Sequence, residues 1–190
     1  SATNFIVFGF GVISEYITVG ILLISTFIFA QKYSYTMQNP IILPVNGKSP
    51  EFGEDCFIAP NATIVGEVSC GNQCSFWFGS VIRGDVNFIK MGNKVNIQDN
   101  ATIHCTYQKH ATTFGNNVSI GHNAVVHGCT VDDNVLIGMG AIVMDNVHIE
   151  SNVIIAAGAV VTQNMHCESW SIYAGTPAKK IKTLSPELFN

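Results

Sequence analysis

Apolar residues recur at a fixed step of six in this chain: Phe52, Ile58, Ile64, Cys70, Phe76 and Ile82 stand six apart without a break. The step resumes at Met91, Ile97 and Ile103, again at Phe114, Ile120 and Val126, and then runs from Val131 through Ile137, Val143, Ile149 and Ile155 to Val161. Four places after these positions comes a second set, nearly all small or β-branched: Cys56, Ala62, Val68, Cys74, Ser80, Val86, Val95, Ala101, Val118, Ala124, Val135, Ala141, Val147, Val153 and Ala159. Neither a helical period of 3.6 nor a simple strand period of 2.0 fits so long a run. Two inward side chains per six residues suit short strands joined by tight corners.

The residues between supply the corners. Gly92-Asn93, Gly115-Asn116-Asn117, Gly121-His122-Asn123 and Asp133-Asn134 are types that tolerate the sharp backbone a corner needs. Three such units close a triangular coil of eighteen residues, and coils stack at the ordinary inter-strand spacing of about 4.8 Å. The expected architecture is an all-β parallel β-helix over residues 52–182.

What precedes it differs in kind. Charged residues make up only 12 % of the 190, and the apolar excess concentrates between Phe5 and Ala30, where Glu15 is the only charge. A bilayer-crossing helix needs about 20 apolar residues. We therefore read residues 1–31 as a hydrophobic, membrane-associated helix, with a helix docked on another subunit as the alternative. A secretory signal would want a basic start and a small-x-small cleavage site, and neither stands out. Lys32 directly after the apolar run places the β-helix on the positive-inside face. Pro40, Pro44, Gly47 and Pro50 mark residues 32–51 as an extended linker, and 183–190 as a short tail.

Six cysteines invite a disulfide reading, but Cys56, Cys70 and Cys74 fall on inward positions and read as core thiols. Cys56 and Cys74 are eighteen apart and should stack on neighbouring coils, so that a bridge between them is conceivable. Cys105, Cys129 and Cys167 match no zinc-knot spacing. A net charge of −4 without Lys/Arg runs argues against a nucleic-acid partner.

The six-step fails twice. Between Ile82 and Met91 the step is nine, and between Ile103 and Phe114 it is eleven. Departures from a repeat are where function is usually lodged. Around them stand Arg83-Gly84-Asp85, then Asn96-Ile97-Gln98-Asp99 with His104, then Ile120-Gly121-His122 with His127-Gly128, and finally Gly175-Thr176-Pro177-Ala178-Lys179. This set, drawn in order from four separate coils, resembles the γ-class carbonic anhydrase family. The closing motif alone is weak, because hexapeptide acyltransferases share it.

The resemblance implies a left-handed β-helix that trimerises with a metal between subunits. His104 and His127 would come from one chain and His122 from the next. Three imidazoles suit a catalytic Zn2+ that keeps a fourth position for water, and Fe2+ or Co2+ fit the same donors. The resemblance also assigns Gln98 to orienting the metal-bound water or bicarbonate, and Arg83 with Asp85 to an inter-subunit pair beside the site. His148 and His166 read as exposed corner residues.

There are departures from the family pattern. Val86 stands where the family prototype has a glutamate, and the loop from Cys105 to Thr113 lacks the acidic proton-passing residue. His110 in that loop is a candidate substitute, since imidazole titrates near neutral pH. The apolar N-terminal segment on such a body resembles subunits of the matrix-side trimer on the membrane arm of mitochondrial respiratory complex I, NADH:ubiquinone oxidoreductase. That implies the mitochondrial inner membrane, a homo- or heterotrimer, other complex I subunits and lipid as partners, and CO2/bicarbonate as substrates. A free membrane-anchored trimer and a coenzyme A-dependent hexapeptide acyltransferase are the alternatives.

Overall fold

Stacking is decided by the inward columns. The computed structural model describes residues 39–185, so the hydrophobic helix expected over residues 1–31 lies outside them. Within them the chain winds into a parallel β-helix with three faces. On the first face Ile64, Ile82, Ile103, Val126, Val143 and Val161 lie in register, each fully buried. On the second, Phe52, Cys70, Met91, Phe114, Val131, Ile149 and Cys167 form the column. On the third it is Ile58, Phe76, Ile97, Ile120, Ile137, Ile155 and Tyr173. Each fully buried Ile or Val of this kind contributes about 1.5–3 kcal/mol of apolar burial.

Asparagine takes the corners because it tolerates left-handed backbone and can also bond to its neighbour. Asn117, Asn134 and Asn152 have φ of 56°, 58° and 63°, and their side-chain amides form a ladder, Asn117 donating to Asn134 at 3.0 Å and Asn134 to Asn152 at 3.2 Å.

Both interruptions are absorbed without loss of register. The strand Val81–Met91 runs against Thr63–Cys70 and bulges between Gly84 and Ile89, the four residues from Asp85 to Phe88 lying opposite the single Glu67. The three extra residues correct one expectation. Val86 is swung out to a half-buried position, and Ile89, fully buried, takes the inward place opposite Val68. The longer insertion forms a loop between strands Thr102–His104 and Thr112–Phe114.

The ends differ from the middle. Ile41–Leu43 lies parallel to Thr63–Val65 as a lead-in to the first coil, with its side chains exposed. At the other end Lys179–Thr183 turns back antiparallel along Ser171–Ala174 with all five residues exposed. No helix among the described residues is long and apolar enough to cross a membrane.

Candidate metal centre

His104 and His127 end adjacent strands of the first face, Thr102–His104 and Val125–His127, and face each other in register. Their ring nitrogens, Nδ1 of His104 and Nε2 of His127, are 3.0 Å apart. Behind each ring stands a carboxylate from the next coil outward. His104 Nε2 lies 2.9 Å from Asp85 Oδ1, and His127 Nδ1 lies 2.5 Å from Asp145 Oδ1.

Those outer contacts assign the tautomers. A carboxylate can only accept, so each histidine uses its outer nitrogen as the donor, which leaves the inner nitrogen as a lone pair. Two lone pairs at 3.0 Å repel unless a cation lies between them. Tetrahedral imidazole nitrogens about 2.0–2.1 Å from a zinc ion stand a little over ~3 Å apart, so the pair fits two ligand positions. Carboxylates behind the ligands are the usual support of such a site.

The two carboxylates are prepared for this role. Burial alone would raise Asp85, but hydrogen bonds from His104 and Arg83 outweigh it and hold the carboxyl below the ordinary 3.8. Burial of Asp145 is likewise outweighed by the bond from His127. Both are therefore ionised acceptors at neutral pH.

Backbone packing fixes where Asp85 points. A Cβ on Gly84 would come within 2.5 Å of the Glu67 carbonyl, so only glycine lets the strand lie this close to its neighbour. Arg83, paired through the same Asp85 at 2.5 Å, closes its contact within one chain, although its head is largely exposed.

His122 stands elsewhere, at the corner after Ser119–Ile120, with Nδ1 2.8 Å from Asp99 Oδ2. Gln98 occupies the matching corner one coil earlier, its backbone N–H donating to the Ile120 carbonyl at 3.0 Å. Among the described residues the three histidines form no convergent ligand group within one chain. The chain thus carries two part-sites: the His104–His127 pair on a face and the His122–Gln98 corner. His110 lies beside Gly128, its Cβ 3.0 Å from where a Cβ on that glycine would stand.

Two supporting residues escaped the sequence reading. Asp145 is eighteen residues after His127, one coil on, and that spacing was the available signal. Thr112, fully buried, donates to the His104 carbonyl and accepts the Gly128 amide at 3.0 Å, tying together the backbones beside both histidines. It sits at the close of the eleven-residue step, where the repeat predicts no register. His148 and His166, read as exposed corners, lie instead on paired strands and contact Asp132 and Glu150.

Comparison with known proteins places this geometry among relatives. Residues 128–163 match the family of bacterial transferase hexapeptide repeats (six repeats). A carbonic anhydrase of Geobacillus kaustophilus is 45 % identical over 147 residues, covering 77 % of this chain and 80 % of that protein. The mitochondrial gamma carbonic anhydrase 1 of Arabidopsis thaliana is 42 % identical over 151 residues, or 77 % of this chain, which spans only 55 % of that relative's length. A crystal structure of a hexapeptide transferase family protein from Anaplasma phagocytophilum superposes with a TM-score of 0.72 at 38 % identity, covering 77 % of this chain and 86 % of that one.

Proposed function

The chain belongs to the γ-class carbonic anhydrase family, and from that premise we propose that it hydrates CO2 to bicarbonate as one subunit of a trimer of left-handed β-helices. The observation that carries the proposal is the pair of ring nitrogens of His104 and His127, facing each other at 3.0 Å with a carboxylate behind each ring. His122 of the partner subunit completes the donor set, because this chain's own His122 stands on a different corner. A zinc ion held by these three imidazoles would make hydroxide available as the nucleophile at neutral pH. Fe2+ or Co2+ would serve the same donors.

The chain's own groups do the rest. Asp85 and Asp145 hold the protons of the outer ring nitrogens, so that the inner lone pairs stay aimed at one point. Gln98, one coil before the corner that carries His122, has a side-chain amide that can donate to an oxygen of bicarbonate and accept from water. Arg83 fixes the second oxygen of Asp85 and presents its remaining guanidinium donors at the surface where subunits would meet. His110, beside Gly128, is placed to pass the released proton to solvent. In weak buffer His110→Ala then lowers turnover and added imidazole restores it.

The cellular setting in this proposal is the membrane arm of mitochondrial complex I, with the β-helix on the matrix side and residues 1–31 on lipid or a neighbouring subunit. It is supported by the mitochondrial relatives and by the apolar run from Phe5 to Ala30. The test is to solubilise the protein gently, size the particle that carries it, and measure its zinc and CO2 hydration. A trimer-containing particle with metal is expected, and in His122→Ala loss of hydration together with the metal bound at the histidines. Full metal and full activity in that variant would overturn the shared site.

A further inference from the structure

Among the described residues one other cluster of ligand-type side chains converges, in the first two coils. Cys70 and Cys74 flank a corner at Gly71-Asn72-Gln73, where Gln73 takes a φ of 58° and turns the chain so that both thiols point inward. Cys56 precedes the strand Phe57–Ile58, and Cys74 precedes its partner Ser75–Phe76, so these two stack across neighbouring coils. The three Sγ atoms all lie within 4.8 Å of one another, Cys56 and Cys70 being 3.9 Å apart. Cys74 is buried and the other two are half-buried.

Packing does not require this arrangement. The equivalent corner positions farther along are filled by Val95, Val118 and Val135, which supply bulk with no reactive atom. The other three cysteines are scattered singly through the core, and burial pushes Cys105 up to about 11 and Cys167 to about 12, as expected of inert thiols. At the cluster the direction reverses for one member. The hydrogen bond between Cys70 and Cys74 splits the pair, pushing the Cys70 thiol up together with burial and holding Cys74 below its ordinary range.

We propose that Cys56, Cys70 and Cys74 form a second metal site, a three-thiolate cradle for a soft ion of the Zn2+ class, with its fourth position open to water on the half-exposed side. Thiolates at the Zn–S distance of about 2.3 Å stand roughly 3.8 Å apart around a tetrahedral ion. The 3.9 Å pair already meets that spacing, and the third sulfur has less than about an ångström to travel. A disulfide would need two sulfurs at about 2.05 Å and would leave the third unmatched. The thiols now donate to backbone carbonyls, Cys56 to Gly71 at 3.4 Å and Cys74 to Gly92 at 3.3 Å. Each thiol that ligates gives its proton to solvent, so binding strengthens as pH rises. Because the ligands come from two successive coils, the ion clamps the open first turn of the solenoid to the second.

The site is independent of the histidine centre and stands or falls separately. The test is to reduce the full chain in mild detergent, strip it of metal, and titrate it with Cd2+, whose thiolate charge-transfer absorption in the ultraviolet is not produced by imidazole ligands. A band that saturates at one ion per chain is expected, unchanged in His122→Ala. It should weaken by about tenfold or more in Cys56→Ser and in Cys70→Ser, both at half-exposed positions that the fold tolerates better than buried Cys74. Near-ultraviolet circular dichroism of each variant verifies the fold. No thiolate band in the reduced wild type would overturn the proposal, and so would a band equally strong in folded Cys56→Ser and Cys70→Ser.

Discussion

Two histidine pairs stack on this β-helix, and only one of them turns two ring nitrogens toward a common point. His104 and His127 on the first face, and His148 and His166 on the second, are each neighbours in register with ring centroids 5.0 and 5.1 Å apart. All four touch a carboxylate. The difference is the order of charges along the stack. In the first column the carboxylates lie outside, Asp85 before His104 and Asp145 after His127, so the two inner nitrogens are turned toward one point. In the second, Asp132 precedes His148 and Glu150 precedes His166, so every ring leans the same way and no hydrogen bond joins the two rings. Exposure follows suit: the side chains of His104 and His127 are 16 % and 35 % accessible, those of His148 and His166 43 % and 53 %. A coil of fixed length stacks like residues readily. Flanking such a pair with acceptors on both outer sides is what makes it a site.

The sharpest break of this contrast is to delete one ring from each column. His127→Ala should reduce CO2 hydration to background and remove the metal of the histidine centre, whereas His148→Ala leaves both unaltered, as read by stopped-flow assay and by metal analysis in a chain whose cysteines are blocked. One step behind the rings, Asp145→Asn should weaken metal affinity by about 10–100-fold, while Asp132→Asn does not change it. Competition with a chelator measures both.

Thr112→Val tests the backbone tie that the first column has. It removes the hydroxyl that links the Gly128 amide to the His104 carbonyl and leaves only their direct bond at 3.2 Å, at a cost of about 0.5–1.5 kcal/mol in denaturant unfolding. Activity should fall with it through a looser histidine pair, and the threonine-to-serine variant should restore most of both.

The smallest effect expected is in acid. Asp85 and Asp145 have folded-state values depressed below 3.8, so their contribution to stability is present above that pH and disappears as pH falls through the depressed values. Glu150 is also lowered, first by the Ser169 amide and then by His166, but it lies at the surface, where salt screens it. Acid unfolding followed in low and in high salt should therefore show a salt-sensitive part that vanishes in Glu150→Gln. The part belonging to Asp145 should persist in high salt and vanish in Asp145→Asn.

The fold was legible because its cause is periodic. Ile64, Ile82 and Ile103 occupy one column whatever lies between them, since every insertion returns the chain to the same register. Val86 was misplaced for the same reason: a bulge of three residues has no period, and counting cannot say which of Val86 and Ile89 turns inward. His104, His122 and His127 came from motif resemblance, and the structure adds why two of them belong together on one face. Asp145 and Thr112 were not read because their roles depend on what stands one coil away, and each is an ordinary residue by type. The cysteine cluster shows the same limit. The eighteen-residue gap from Cys56 to Cys74 was visible, but the approach of Cys70 depends on how the corner between Cys70 and Cys74 turns.

The backward strand at the end of the chain has a consequence for the molecule's solubility. A parallel solenoid exposes at its last turn the same unpaired backbone that each turn offers the next, and so could in principle seed fibre growth by identical molecules. Lys179–Thr183 occupies that edge on the third face in the opposite direction, and three of its five residues are lysines. An incoming copy would meet a reversed strand and a row of positive charge, so winding ends with one molecule on that face.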